Sequence, residues 1–227
     1  MSQMSREIML IGDGAGIPAA TAAAVDERDW NASVTSRSGN HPAFDATSGA
    51  VDFPVPDVLD GFVYFPGTIN LKPFHRLTTA DFERDYQINV LGAVRTLQHC
   101  LPALKKSSSP SIVLFSSVAA QTGMGFHASI GSAKAAIEGL TRSLAAEFAP
   151  KIRVNAIAPS LTETPMAEMF LNSETKAQAA RERHPLKAVG RAGDIAELVC
   201  FLLGDASRFM TGQILHPDGG MSSVRQF

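Results

Sequence analysis

The feature that most constrains this chain is an alternation of two periods. Short apolar runs recur from residue 8 to residue 215, and longer stretches of helical period separate them. Such runs are too short to be helices of ordinary length and read as strands. They are expected at 8–11, 32–36, near Phe44, and at 61–65, 112–115, 152–158 and 213–215. Helices are expected at 17–28, 78–104, 129–148, 165–183 and 194–203. In the second of these, Phe82, Tyr86, Val90, Val94, Leu97, Leu101 and Leu104 follow one another at steps of three and four. That spacing makes one apolar face, on which Tyr86 sits with the core leucines and valines. Thr78 or Thr79 can cap the helix, with Asp81 and Glu83 in its first turn.

Strands that alternate with helices predict a parallel sheet covered on both faces. The expected fold class is α/β, a single doubly wound Rossmann-type domain over residues 1–227. Its parallel seven-stranded sheet takes the order 3-2-1-4-5-6-7. One stretch breaks the rhythm. Residues 38–60 are rich in Gly, Pro, Asp and Ser and show no helical period. They leave room only for trimmed crossovers at one sheet edge, around a short strand near Phe44.

With 227 residues and 45% hydrophobic content, the chain can build one sizeable core. A net charge of −2 gives no field that recruits nucleic acid or an anionic membrane. No apolar stretch approaches the ~20 residues that span a bilayer. No leader segment is visible, so a cytoplasmic location is expected. Cys100 and Cys200 lie in apolar helical segments, read as buried thiols, and no metal site is expected.

The first strand runs into Gly12-Asp13-Gly14-Ala15-Gly16 and then into a helix with Pro18 in its first turn. Glycines let backbone approach a pyrophosphate, and a helix start offers free N–H groups. A glycine-rich turn is also an ordinary tight turn, so this piece alone decides little.

Later pieces decide more. Ser116-Ser117, Lys134, the run Arg153-Val154-Asn155-Ala156-Ile157-Ala158-Pro159, and Thr211-Gly212-Gln213 with Asp218-Gly219-Gly220 occur in fixed order. Together they resemble the short-chain dehydrogenase/reductase superfamily over nearly the whole chain. The resemblance implies a nicotinamide cofactor, with Gly12, Gly14, Gly16 and Ile17 at its pyrophosphate. Pro18 stands where the family has a last glycine and donates no N–H. Arg37 ends the second strand where an acidic residue would select NAD(H). A guanidinium pairs with a 2′-phosphate, so NADP(H) is expected, although Arg37 also reads as a solvated loop charge. The resemblance further implies Asp45 at the adenine, Gly67 after the fourth strand, and Thr162 at the nicotinamide. Tyr64 and Phe65 stand where the family carries amides, and the plain reading is that they fill space beside the trimmed edge.

The family's catalytic set is Asn, Ser, Tyr and Lys. Asn89, Ser117 and Lys134 match three of these. The tyrosine belongs four residues before the lysine, where this chain has Ile130. Isoleucine can neither give nor take a proton. His127, seven residues before Lys134, is the candidate replacement, since histidine is the commonest acid–base side chain. A loop histidine is also an ordinary surface residue. Lys134 has its own bland reading, a helix-surface charge facing Glu138. The local run around His127-Ala128-Ser129 and Ser132-Ala133-Lys134 is similar to the dienoyl-CoA reductase branch, which also lacks the tyrosine and reduces conjugated alkenes.

The expected function is therefore NADP(H)-dependent hydride transfer to a carbonyl or conjugated alkene, with non-standard proton delivery. Asn89, Ser117, Lys134 and His127 carry the chemistry in that reading. A catalytically silent NADP(H)-binding sensor or partner protein is the alternative. The expected partner is a small-molecule substrate. Met166, Met169, Phe170 and Leu171 fit an apolar one, and also fit plain packing. The resemblance implies a homodimer or homotetramer built on the two long helices, where Ala135, Ala136, Gly139, Ala145 and Ala146 permit close contact.

Overall fold

A computed structural model describes residues 5–37 and 41–225. Six parallel strands form the main sheet, in the order β2-β1-β3-β4-β5-β8. They are β1 (Glu7–Ile11), β2 (Asn31–Thr35), β3 (Gly61–Tyr64), β4 (Ser111–Phe115), β5 (Arg153–Ile157) and β8 (Ile214–Leu215). A two-stranded piece, β6 (Thr162–Glu163) and β7 (Gly190–Arg191), lies apart from it. The helices are α1 (Ile17–Asp26), α2 (Thr79–Tyr86), α3 (Gly92–Leu104), α4 (Ala128–Phe148), α5 (Glu168–Leu171), α6 (Glu174–Glu182) and α7 (Ala192–Leu203).

The central strands β3, β4 and β5 are buried along their whole length; β3 and β4 accordingly show no alternation, while β5 buries Arg153 and Asn155 through hydrogen bonds to backbone carbonyls. One core joins Phe62, Ile112, Leu114 and Val154 to Leu97, Cys100, Leu104 and Ile137 of α3 and α4. The other joins Ile8, Leu10, Val63 and Val113 to Val25 of α1 and to Ile195, Val199 and Leu203 of α7. Both cysteines are buried and free, and burial pushes the Cys200 thiol up to about 11. Among the described residues no helix is long and apolar enough to cross a membrane.

The sheet has six strands, not seven. The strand expected near Phe44 is reduced to one parallel bridge between Ser36 and Ala43. Ser36 N–H donates to Pro42 O at 3.0 Å, and Phe44 N–H donates to Ser36 O at 2.7 Å. Pro42 has no N–H to extend the ladder, and residues 45–60 turn away without forming a strand or helix. Phe44 and Phe53 instead enter the core edge to face, 6.0 Å apart.

The expected helix at 78–104 is one rod with a wide turn inside it. Thr78 caps its start in a capping box with Asp81. A π-helical turn at Gln87–Leu91 then joins α2 to α3. Asn89 Nδ2 donates to Asp85 O at 2.8 Å and Tyr64 Oη donates to Ile88 O, so side chains hold the widened turn. An added residue rotates the helix face by about 100°. The regular period therefore misplaced Tyr86, which is 45% exposed, while Asp85 is buried. Ala145 is also corrected. It is buried and packs toward Gly212, so it belongs to the core and not to an outer helix face.

Candidate active site at the carboxyl ends of the strands

Strands β1 to β5 end along one rim, and a cavity of about 1220 Å³ opens there. Gly12, Gly14, Ile17, Arg37 and Asp45 line one part of it. Gly67, Ser117, His127, Ile130, Lys134 and Thr162 line another. The sequence candidates are thus brought to one cavity, with two exceptions. Gly16 and Asn89 stand behind its wall.

At the glycine loop, Gly12 has φ 97° and its N–H donates to Thr35 O at 3.1 Å. Gly16 has φ 92°, and a Cβ there would lie 2.8 Å from Thr164 Cγ2. Its role is to let this loop and the segment after β5 touch. A Cβ at Gly14 would meet nothing within 4 Å, so that face of the loop stays open. No side chain caps α1. Pro18 lacks a first-turn N–H and Ala19 N–H donates to Gly14 O at 3.3 Å, which leaves the Ile17 N–H at the helix start for an anion. Arg37 is exposed beside this loop and contributes, as the smallest of the named causes, to holding the Asp45 carboxyl low. The larger causes are the Thr47 N–H, at 2.8 Å, and the Thr47 hydroxyl, at 2.7 Å.

At the other end, Lys134 is buried and is no surface charge. Its Nζ donates to Phe115 O at 2.9 Å. Burial lowers its ammonium to about 8, against the opposing pull of the Asp85 carboxylate. Glu138, the partner expected on a helix surface, instead accepts from Ser116 Oγ at 2.9 Å and Gln121 Nε2 at 3.0 Å. Gly67 permits the close approach here, since its Cβ would lie 3.2 Å from Asn89 Oδ1 and 3.3 Å from Lys134 Nζ. Asn89 Oδ1 is buried and has no hydrogen-bond partner. Such an acceptor has a use for a donor from a ligand or water.

Ser117 Oγ accepts from Ala119 N at 3.2 Å, which leaves its own proton to donate into the cavity. Ile130 is buried. His127 starts α4, and its Nδ1 contacts Gly125 O at 2.7 Å. A carbonyl only accepts, so Nδ1 is the protonated nitrogen. Neither nearby phenol replaces the missing one. Tyr64 is committed to Ile88 O inside the core, where burial pushes its hydroxyl up, and Tyr86 faces outward. Thr162 is buried, and its hydroxyl donates to Ser160 O at 3.1 Å.

Two polar clusters were not read from the sequence. Buried Asp85 accepts from Thr68 Oγ1 and from Ser129 Oγ, each at 2.6 Å, and Thr68 also accepts from Asn89 Nδ2 at 3.1 Å. Asp85 is one turn before Asn89, a spacing that could have marked it. The other cluster pairs His184 with Ser160 at 2.9 Å, and no local signal links residues 24 positions apart.

The fold is a Rossmann-type α/β domain with one large cavity at the carboxyl ends of its parallel strands. The family described as enoyl-(acyl carrier protein) reductase matches residues 19–222. A tropinone reductase homolog of Arabidopsis thaliana is 39% identical over 69% of this chain and 60% of its own length. A 2-(S)-hydroxypropyl-CoM dehydrogenase of Xanthobacter autotrophicus is 34% identical over 73% of this chain and 67% of its own. Among solved structures, a short-chain dehydrogenase/reductase from Brucella melitensis superposes with a TM-score of 0.86. It is 30% identical over 96% of this chain and 97% of its own. ElxO with NADP bound superposes with a TM-score of 0.87 at 25% identity, over 97% of this chain and 100% of its own. The chain belongs to the short-chain dehydrogenase/reductase superfamily.

Proposed function

We propose that this chain is an NADP(H)-dependent oxidoreductase that transfers hydride to a carbonyl or a conjugated alkene, its proton coming from a group other than residue 130. The observation that carries this reading is the pairing within one cavity of a buried Lys134 ammonium and an exposed Arg37 guanidinium. The residues fit a dinucleotide at both ends. The glycine loop and the start of α1 would hold the pyrophosphate, and Arg37 the 2′-phosphate. Lys134, with two N–H groups beyond the one given to Phe115 O, would hold the nicotinamide ribose. When bound, the nicotinamide supplies or accepts the hydride. Ser117 would hold a substrate oxygen by donating a hydrogen bond to it, and Asn89 would order the polar groups behind Gly67. The brief similarity around His127 to dienoyl-CoA reductases favours the alkene as one substrate class. Retention of Asn89, Ser117 and Lys134 favours turnover over silent binding.

The cofactor part is tested by fluorescence titration. Arg37→Asp is expected to weaken NADPH binding by about tenfold or more, through loss of a charge-assisted pair and addition of repulsion. NADH binding should change little. Equal losses for both cofactors refute the assignment.

A homodimer or homotetramer is part of the same reading. Ala135, Gly139 and Ala146 are exposed along α4, and a Cβ at Gly139 would meet nothing within 4 Å. This small-residue face suits a second copy of the helix. Sedimentation at micromolar concentration is expected to show the dimer or tetramer, and a monomer removes this part.

A further inference from the structure

We propose that Ser160 and His184 form a proton relay at the substrate end of the cavity, supplying the step that Ile130 cannot. The inference rests on the hydride-transfer reading above. His184 is 1% exposed, and both its ring nitrogens are engaged. Its Nδ1 lies 2.8 Å from Ala180 O, and its Nε2 lies 2.9 Å from Ser160 Oγ. Because the Ala180 carbonyl only accepts, Nδ1 carries the proton. In the neutral ring Nε2 is therefore the acceptor, and Ser160 Oγ–H donates to it. This is the geometry in which an imidazole takes a proton from, or returns one to, a hydroxyl.

The pair is placed where the chemistry needs it. Ser116 N–H donates to Ile157 O at 2.8 Å and Val118 N–H donates to Pro159 O at 3.1 Å. The β4–β5 ladder thus continues past both strands and sets Ser117 and Ser160 on neighbouring chains at one rim. Ser160 and His184 both line the cavity that holds Ser117, Ile130 and Lys134. The ring is also held in place. A Cβ on Gly219, which has φ 60°, would lie 3.3 Å from His184 Cβ, and Leu186 N–H donates to Gly219 O at 3.1 Å. His127, half-buried and bonded only to its own loop through Nδ1, has no comparable support.

The step balances. As the substrate gains hydride from the reduced nicotinamide, Ser160 Oγ–H gives its proton to the partner atom of the reduced bond. The His184 imidazolium passes its Nε2 proton to Ser160 Oγ. The hydroxyl ends unchanged, the ring ends neutral, and cavity water recharges the ring through the same hydroxyl. In the oxidative direction the neutral ring draws the proton out by the same route. Nearby charges are Arg181, Glu182, Arg183 and Lys187 on the ring's own segment and Asp218 on the facing turn. The Asp218 carboxylate accepts from Gly220 N and Ser222 N, each at 2.9 Å. Lys134 titrates in the same cavity and is kept in every variant tested.

The test combines spectra and rates. In 15N-histidine spectra of the full chain, His184 is expected to show a protonated Nδ1 and a hydrogen-bonded Nε2. Ser160→Ala should shift the Nε2 signal. A neutral ring that carries its proton on Nε2, or one whose signals ignore Ser160→Ala, overturns the relay. In NADPH oxidation with 2-cyclohexen-1-one and cyclohexane-1,2-dione as probes, Ser160→Ala and His184→Gln should each lower kcat by about 10²-fold. Both should leave the NADPH Kd within about twofold, which shows a folded pocket. His184→Gln should also change the shape of the pH–rate profile. If wild type turns over and both variants match it, the relay fails and hydride transfer stands. A profile changed by His127→Gln and not by His184→Gln has the same meaning. Wild-type protein that binds NADPH and reduces neither probe overturns the hydride-transfer reading and the relay with it.

Discussion

Lys134→Met is expected to lower NADPH-linked turnover by about 10²–10³-fold, the usual loss when a preorganised charged donor is removed from an active site. NADPH binding should weaken by about tenfold or more, because hydrogen bonds from a charged donor contribute about 1.5–3 kcal/mol each. Methionine is unbranched and only one heavy atom shorter, so packing beside Phe115 and Gly67 changes little. A second readout separates this from plain damage. Burial lowers the folded-state ammonium to about 8 from an ordinary 10.5. Between those values the unfolded chain binds more protons than the folded one. Stability of the wild type therefore rises with pH across that window, and below it the cost of a buried ammonium is carried in full. Lys134→Met should lack this rise. Urea midpoints at pH 7.5 and pH 10 measure the difference. A wild type whose stability does not rise relative to the variant contradicts the burial argument, and unchanged NADPH binding removes Lys134 from the cofactor site.

The second large effect is expected at the wide helical turn. A Cβ on Gly92 would lie 2.1 Å from Tyr64 Oη, a separation no side chain tolerates. Gly92→Ala must push Tyr64 out of line, which breaks its bond to Ile88 O and strains a packed core. Overpacking costs about 1–3 kcal/mol. A lost buried hydrogen bond adds about 1–3 kcal/mol. The expected fall in stability is thus about 2–6 kcal/mol. Asn89 sits in the same turn, so NADPH binding should weaken as well. Tyr64→Phe removes the colliding oxygen and should recover part of the loss when combined with Gly92→Ala. Calorimetry on the four proteins of this double-mutant cycle gives the coupling. Additive losses would mean that the two residues do not meet.

The contrast between these residues shows what the sequence makes legible. The strands were readable because β1, β3 and β4 are apolar on consecutive residues, as burial on both faces demands, while β5 was readable from its motif although it buries Arg153 and Asn155. The helices were readable from their period. Tyr86 was misread because a period assumes regular turns, and the π-helical turn that resets it depends on Tyr64, which reaches in from another strand. The seventh strand failed on one residue, since Pro42 cannot donate to the ladder that Ser36 and Phe44 begin. At the site, Ser117 and Lys134 were legible through motif spacing. His127 and Thr162 line the cavity, while Asn89 and Gly16 stand behind its wall. Asp85 and His184 were not singled out. Their meaning comes from Thr68, Ser129 and Ser160, and only folding brings those partners together.

The shortened crossover leaves β2 at the rim of the sheet, with one flank turned to solvent over most of its length. An open flank of that kind is a template on which another extended chain could add itself. Here it is blunted in two ways. Asn31 and Ser33 put polar side chains along its start, and Asn31 bonds back to Glu7. Its end is closed by Pro42 and Phe44, which take up both backbone groups of Ser36. This edge is therefore closed by a handful of residues, Asn31 and Ser33 at its start and Pro42 and Phe44 at its end. Apolar, β-branched replacements at Asn31 and Ser33 would turn a sealed margin into a growing one.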